Sequence, residues 1–152
     1  MRAARLDDHA AILEFWLDLV EHHRRIAPVY ASAPNLREVL AAEIQRGSTR
    51  SRCRLLVAER AAQRIGFLFA EVEAGASSDD EAGAGWIHEL WVAPEERGRG
   101  VASALLAEAG AFFSASGVRR VSVRVESGNA DALRYWMRRG FGDRARILER
   151  VT

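Results

Sequence analysis

The chain has 152 residues, 49% hydrophobic and 28% charged, enough for one domain with a substantial core and too apolar for a disordered chain. Its formal net charge is +1, with all 22 basic residues arginine, so no overall field points to nucleic acid or to an anionic membrane. One cysteine, Cys53, excludes an internal disulfide framework. No apolar run approaches the ~20 residues needed to span a bilayer, and residues 1–11 lack a signal-peptide core, so the expectation is a cytoplasmic single domain over residues 1–152.

The first helix is expected over residues 6–25, capped by Asp7 or Asp8, with Ile12, Leu13, Trp16, Leu19, Val20 and His23 on one stripe. Two prolines, Pro28 and Pro34, interrupt the pattern. A second helix from Asn35 turns Leu36, Val39, Leu40 and Ile44 inward and ends at Gly47. Residues 54–60 and 64–73 are rich in Val, Leu and Phe and read as a hairpin, with Cys53 a buried residue at its start. The Gly/Ser/acidic stretch 74–85 is a connector, and 86–93 a further strand. Ala102, Leu105, Leu106, Ala109, Phe112 and Phe113 recur at helical spacing until Gly117. Val121, Val123 and Val125 alternate along a strand at 118–126. A last helix runs from about 130 to 139, and residues 146–151 are placed to close the sheet. With a short strand at residues 1–5, the order describes a mixed α/β fold with one β-α-β crossover over residues 89–126.

The informative segment is Glu-Arg-Gly-Arg-Gly-Val-Ala-Ser at 96–103. A helix start exposes unpaired N–H groups and a partial positive charge. Glycines allow a tight turn and close approach to backbone, and arginines add positive potential. Together they describe an anion site suited to phosphate or pyrophosphate. A P-loop is excluded because it needs lysine. A dinucleotide fingerprint is nearly met by Gly98, Gly100 and Ser103 with Glu126 as acidic partner, but too little chain follows for that fold.

Residues 86–141 resemble the GNAT superfamily of N-acetyltransferases. Arg97-Gly98-Arg99-Gly100-Val101-Ala102 matches the family's Arg/Gln-x-x-Gly-x-Gly/Ala signature. Trp91, Val92, Ala93 and Pro94 match the strand before it, and Asn129, Ala132, Tyr135, Trp136, Gly140 and Phe141 match the downstream pattern. The resemblance implies a mostly antiparallel central sheet flanked by helices, and acetyl-CoA or another acyl-CoA as donor. It implies that backbone groups of residues 98–103 hold the CoA pyrophosphate, with Arg97 and Arg99 beside them. Trp91 and Val92 would present backbone to the pantetheine arm where the strand splays from its neighbour, and Asn129 would bond the arm further along.

The implied reaction is direct acyl transfer to a primary amine of a small molecule or peptide, with no metal, nucleic acid or membrane partner. Glu89, just before the thioester-contacting residues, is the candidate base. Alternation turns His88 to the opposite face, and His22 and His23 are further candidates near the acceptor site. The tyrosine that many family members place near the thioester sulfur is Trp136 here, and indole cannot supply a proton. Either Tyr135, one residue earlier, acts as acid, or the thiolate leaves without one. Asp18, Glu21, Tyr30 and the acidic connector are candidate acceptor-side residues. A non-catalytic acyl-CoA sensor is the alternative. The resemblance also implies a possible homodimer through the C-terminal residues 145–152.

Overall fold

The structure, a computed structural model, describes residues 1–27, 34–73, 83–145, 147–148 and 150. Its order is β1 (Arg2–Ala3), α1 (His9–Ile26), α2 (Leu36–Thr49), β2 (Cys53–Arg60), β3 (Gln63–Glu73), β4 (Ala84–Val92), α3 (Val101–Ala115), β5 (Val121–Val123) and α4 (Ala130–Met137). The five strands lie in sequence order. All neighbours are antiparallel except β4 and β5, which run parallel across the α3 crossover. One parallel pair is too few for a dinucleotide-binding fold, which removes that reading. Among the described residues after α4 no strand is present; Arg146, Glu149 and Val151 of the expected closing segment lie outside the described residues.

Both faces of β2 and β3 are covered, so Leu55 to Ala58 and Phe67 to Ala70 are all buried, the signature of a central strand. Successive side chains feed two different cores. Leu56, Leu68, Ile87, Leu105, Phe113 and Trp136 pack on the α3 and α4 side. Ile12, Trp16, Leu19, Ile44, Phe67, Phe69 and Trp91 pack on the α1 and α2 side. Cys53 is buried at the start of β2, as its apolar run suggested.

Three local expectations are corrected. Asp8 does not cap α1 with its side chain. It is fully buried and accepts from Arg2 at 2.6 and 3.0 Å, from Arg64 at 2.9 Å and from the Arg5 N–H at 2.7 Å. Val39 is exposed rather than inward. Gly47 does not end α2, which continues to Thr49; an added Cβ there would stand 3.1 Å from the Phe69 ring, so the glycine lets the helix sit close on the sheet. The β2–β3 hairpin turns through Ala61 and Ala62, both at positive φ (47° and 65°), where glycine or asparagine is the usual choice.

Two glycines, Gly66 on β3 and Gly85 on β4, allow close packing around β4. A Cβ at Gly85 would lie 2.8 Å from Phe113 of α3. A Cβ at Gly66 would lie 2.6 Å from the Trp91 carbonyl oxygen, and backbone cannot swing aside. Gly66→Ala is therefore expected to cost about 2 kcal/mol, read as a lower denaturant midpoint with an unchanged m-value. An unchanged midpoint would mean that β3 and β4 can separate freely there.

Candidate active site

β5 pairs with β4 only at Gly85, Trp86 and Ile87. Beyond Ile87 the two strands part, and α3 and α4 start beside the gap. The result is a cleft of about 700 Å³ that runs from the start of α3 to the last turns of α1. Its wall includes Glu89, Trp91, Val92, Arg97, Gly98, Gly100, Val101, Ala102, Ser103, Asn129, Tyr135 and Trp136. Of the catalytic and donor-binding residues expected from the sequence, Arg99 stands outside that wall, paired with Glu96 at 3.5 Å.

At one end, a 3₁₀ turn at Pro94–Glu96 leads into Gly98 at φ 75° and Gly100 at φ 80°, with Gly100 capping α3. Nothing lies within 4 Å of a Cβ built at either glycine. Their requirement is conformational, and it leaves open space in front of the first N–H groups of α3. Arg97 folds back: its Nε donates to the Val92 carbonyl at 3.0 Å and its guanidinium lies 4.5 Å over the Trp91 ring. Gly100→Val would put a branched residue at positive φ, worth ~1–3 kcal/mol of strain. CoA binding is expected to weaken by about tenfold or more by calorimetry; parental affinity would deny this helix start a role in holding the donor.

At the other end, Glu89 lies opposite Phe69 and its half-buried side chain accepts from the Trp16 indole N–H. Burial pushes its pKa up to about 7, against the pull of that hydrogen bond. His22 and His23 line the cleft from α1, His22 with its ring 6.1 Å from Trp91. Burial lowers the His23 pKa, His22 beside it adds to the fall, and Glu126 opposes both. His88 requires a correction. Phe69 pairs with Glu89 and Ala70 with Ile87, so His88 is the extra residue of a β-bulge. The bulge breaks the alternation and leaves His88 on the same face as Glu89, its ring 5.2 Å from Phe69.

On α4, Trp136 is buried against Tyr135 (5.3 Å) and Phe141 (5.0 Å). Tyr135 has its ring covered by the Arg139 guanidinium at 3.8 Å, and its hydroxyl is buried without a hydrogen-bond partner. Burial raises the Tyr135 pKa, with Arg139 pulling the other way. Among the described residues, three buried side-chain polar atoms lack a partner: Arg24 Nε, Trp91 Nε1 and Tyr135 Oη. The last two belong to residues of the cleft wall.

The acetyltransferase (GNAT) family model matches residues 16–141. The chain belongs to the acetyltransferase (GNAT) family. It is an acyl-CoA N-acyltransferase of the GNAT type. No curated protein matches it. Solved structures show the same fold at low identity. A tetramutant of the BH1408 protein from Bacillus halodurans superposes with a TM-score of 0.85 at 16% identity, over 99% of this chain and 98% of that one. The apo aminoglycoside 6'-N-acetyltransferase AAC(6')-IG from Acinetobacter haemolyticus gives 0.79 at 16% identity, over 99% and 96%. AAC(6')-Iy, in complex with the bisubstrate analog CoA-S-monomethyl-acetylneamine, gives 0.72 at 18% identity, over 99% and 95%.

Within this GNAT chain the cleft also recruits residues that sequence reasoning passed over. Arg138 and Arg139 line it from the end of α4, and Arg139 donates to the Ser103 hydroxyl across the groove. The visible signal was two adjacent cations between an amphipathic helix and Gly140, a common helix ending. Asn129 caps α4, its side-chain oxygen accepting from the Ala132 N–H at 3.0 Å. Asp18 is exposed and outside the cleft wall, and Glu21 is engaged by Arg25 at 3.3 Å. Tyr30 and the acidic residues 79–81 lie outside the described residues. Among the described residues no cluster of three metal-ligating side chains exists, and no helix is long and apolar enough to cross a membrane.

Proposed function

We propose that this chain, working as one cytoplasmic domain over residues 1–152, transfers an acetyl group from acetyl-CoA to a primary amine of a small molecule or peptide by direct attack. The observation that carries the reading is one cleft with an open helix start at one end and a carboxyl group of pKa about 7 at the other. A diphosphate suits the first: free N–H groups, positive-φ glycines and arginines at the rim. The buried hydroxyl of Tyr135 and indole N–H of Trp91, both unpartnered, leave donors for a bound molecule to use.

In this reading residues 98–103 hold the pyrophosphate by backbone, Arg97 fixes the end of β4, and Arg99 adds positive potential from outside. Trp91, Val92, Asn129 and Trp136 wall the arm. Bound there, the donor supplies an acyl thioester. Glu89 takes the proton from the incoming ammonium, a task suited to a base with a pKa near the working pH. Tyr135, whose hydroxyl has no other partner, protonates the leaving thiolate, while Trp136 packs and does not act as acid. Leu19, His22, His23 and His88 shape the acceptor end.

The test is release of free CoA thiol from acetyl-CoA against panels of amines: polyamines, amino acids, aminoglycosides, arylalkylamines and peptides. Acceptor-dependent release supports the reading. Acetyl-CoA binding by calorimetry with no release across every panel would argue for a donor-binding sensor instead. We also propose a homodimer through residues 145–152. Ile147 and Leu148 of that segment are 59% and 92% exposed, apolar surface that a second copy would cover. Light scattering is expected to give twice the mass of the chain, and a monomer at micromolar concentration would refute it.

A further inference from the structure

Transfer from acetyl-CoA to an amine that arrives as an ammonium ion liberates one proton. The ammonium loses one N–H bond to a base, and nitrogen bonds the acyl carbon as the C–S bond breaks. A second N–H proton leaves with the thiolate as CoA thiol. The first proton must reach water before the base can act again. Glu89 is poorly placed to release it alone, because its carboxyl is drawn in against Trp16.

The bulge places an imidazole on the same face of β4 as that carboxyl, both lining the cleft, and the imidazole is built into a chain. His88 Nε2 stands 3.0 Å from Glu71 Oε2. The other Glu71 oxygen accepts from Arg46 at 2.7 Å. Arg46 is held by Glu43 at 2.8 and 2.9 Å and lies 5.0 Å over the Phe69 ring. Burial works to raise the Glu71 pKa, but the hydrogen bond and charge of Arg46, helped by His88, leave it below the usual carboxylate range. Glu71 is therefore an anion across the range in which an imidazole titrates. Stacking on Trp86, at 6.5 Å and 16° between planes, fixes the ring further. The His88 side chain lines the cleft and is 31% exposed, so it reaches both the reaction space and water.

We propose that the His88–Glu71 pair is the exit for the proton that Glu89 takes from the acceptor, with Arg46 as the positioning residue that holds the pair. The proton breaks its bond to Glu89, joins the free nitrogen of His88, and leaves from the ring to solvent, while Glu71 stabilises the transient imidazolium. The proposal rests on Glu89 as base. The charged and titratable groups around the pair are Arg46 and Glu43 from α2, Cys53 from β2, Glu71 from β3, Glu89 on the same strand, His22 and His23 from α1, and Arg124 and Glu126 across the cleft.

The experiment uses His88→Gln, Glu71→Gln and Glu89→Gln, each checked for parental CoA affinity, with acetyl-CoA and the fastest amine of the panels. In dilute buffer, kcat of His88→Gln is expected to fall about tenfold or more with KM for acetyl-CoA unchanged. Added imidazole should then restore it in proportion to concentration and leave the parent unaffected, which a merely structural loss would not do. Glu71→Gln should fall in the same direction, with its pH profile displaced. A His88→Gln enzyme at parental rate in every buffer overturns the exit while a slow Glu89→Gln keeps the base; a fast Glu89→Gln removes the base itself. The pair can also be read without turnover. With CoA bound, the NMR titration of the His88 ring nitrogens should shift its midpoint in Glu89→Gln, and identical midpoints in parent and variant overturn the proposal.

Discussion

Replacing Glu89 by glutamine is expected to lower kcat/KM by about 10²-fold, the lower part of the range for a positioned base, while making the protein harder to unfold at neutral and alkaline pH. The first half follows from its proposed role. In the parent, log kcat/KM should rise with unit slope as pH approaches about 7 and level off above it, because the carboxyl must be ionised to take a proton. The variant should lose that limb. The second half follows from linkage. Burial raises the carboxyl pKa from the ordinary 4.5 to about 7 on folding, so between those values the native state holds the proton more tightly than the unfolded chain does. Stability then falls as pH rises through that window. Above it the ionised group costs up to about 3 kcal/mol at 1.36 kcal/mol per unit. Glutamine removes that cost, so the variant should melt higher than the parent at pH 8 and together with it near pH 4. Equal melting at pH 8 would show that the carboxyl is hydrated, and an active, pH-insensitive variant would exclude it as base.

Asp8→Ala carries the largest expected loss of stability, about 3 kcal/mol. The carboxylate is fully buried and receives four hydrogen bonds, from Arg2, Arg64 and the Arg5 N–H. Removing it leaves two guanidinium groups facing each other around an empty site, and breaking a buried pair this way costs ~3–5 kcal/mol. The low end applies because both arginines reach water, at 27% and 30% exposure. The hydrogen bonds from Arg2 lower the Asp8 pKa most, burial opposes them, and Arg5 and Arg64 add to the fall. Its stabilisation is thus present above the ordinary 3.8 and lost as pH drops below it. The parent and Asp8→Ala should therefore converge in denaturant midpoint in strong acid and differ most at neutral pH. A variant within 0.5 kcal/mol of the parent at pH 7, about the scatter of surface changes, would show that water replaces the carboxylate.

The segments whose local chemistry points one way were legible. Alternating and continuous apolar runs marked β2 and β3, and the glycine–arginine turn marked the start of α3, because positive φ at Gly98 and Gly100 is a demand that residue type reveals. Trouble began where a side chain answers to a distant partner. Asp8 looks like a helix cap and serves Arg2 and Arg64; the arginine that fixes its role lies 56 residues away. Gly47 looks like a helix stop and is a clearance for Phe69. His88 was assigned the wrong face because Trp-Ile-His-Glu-Leu-Trp-Val reads as an unbroken strand, and the bulge exists only through the register with β3. Tyr135 and Trp136 are both aromatic, so composition could not say that the indole goes to the core while the hydroxyl is left without a partner.

The sheet is a party wall between two rooms. On one side, α3 and α4 share their core with Leu68, Ile87 and Leu105; on the other, α1 and α2 share theirs with Phe67, Phe69 and Trp91. β2, β3 and β4 each face both rooms, through side chains on opposite faces of the sheet. A change in the tenant of the α1–α2 room can therefore be made without rebuilding the other, since substitutions on the two sides share few contacts and should combine additively. That division lets a lineage keep one way of gripping a donor while refitting the opposite room for new acceptors.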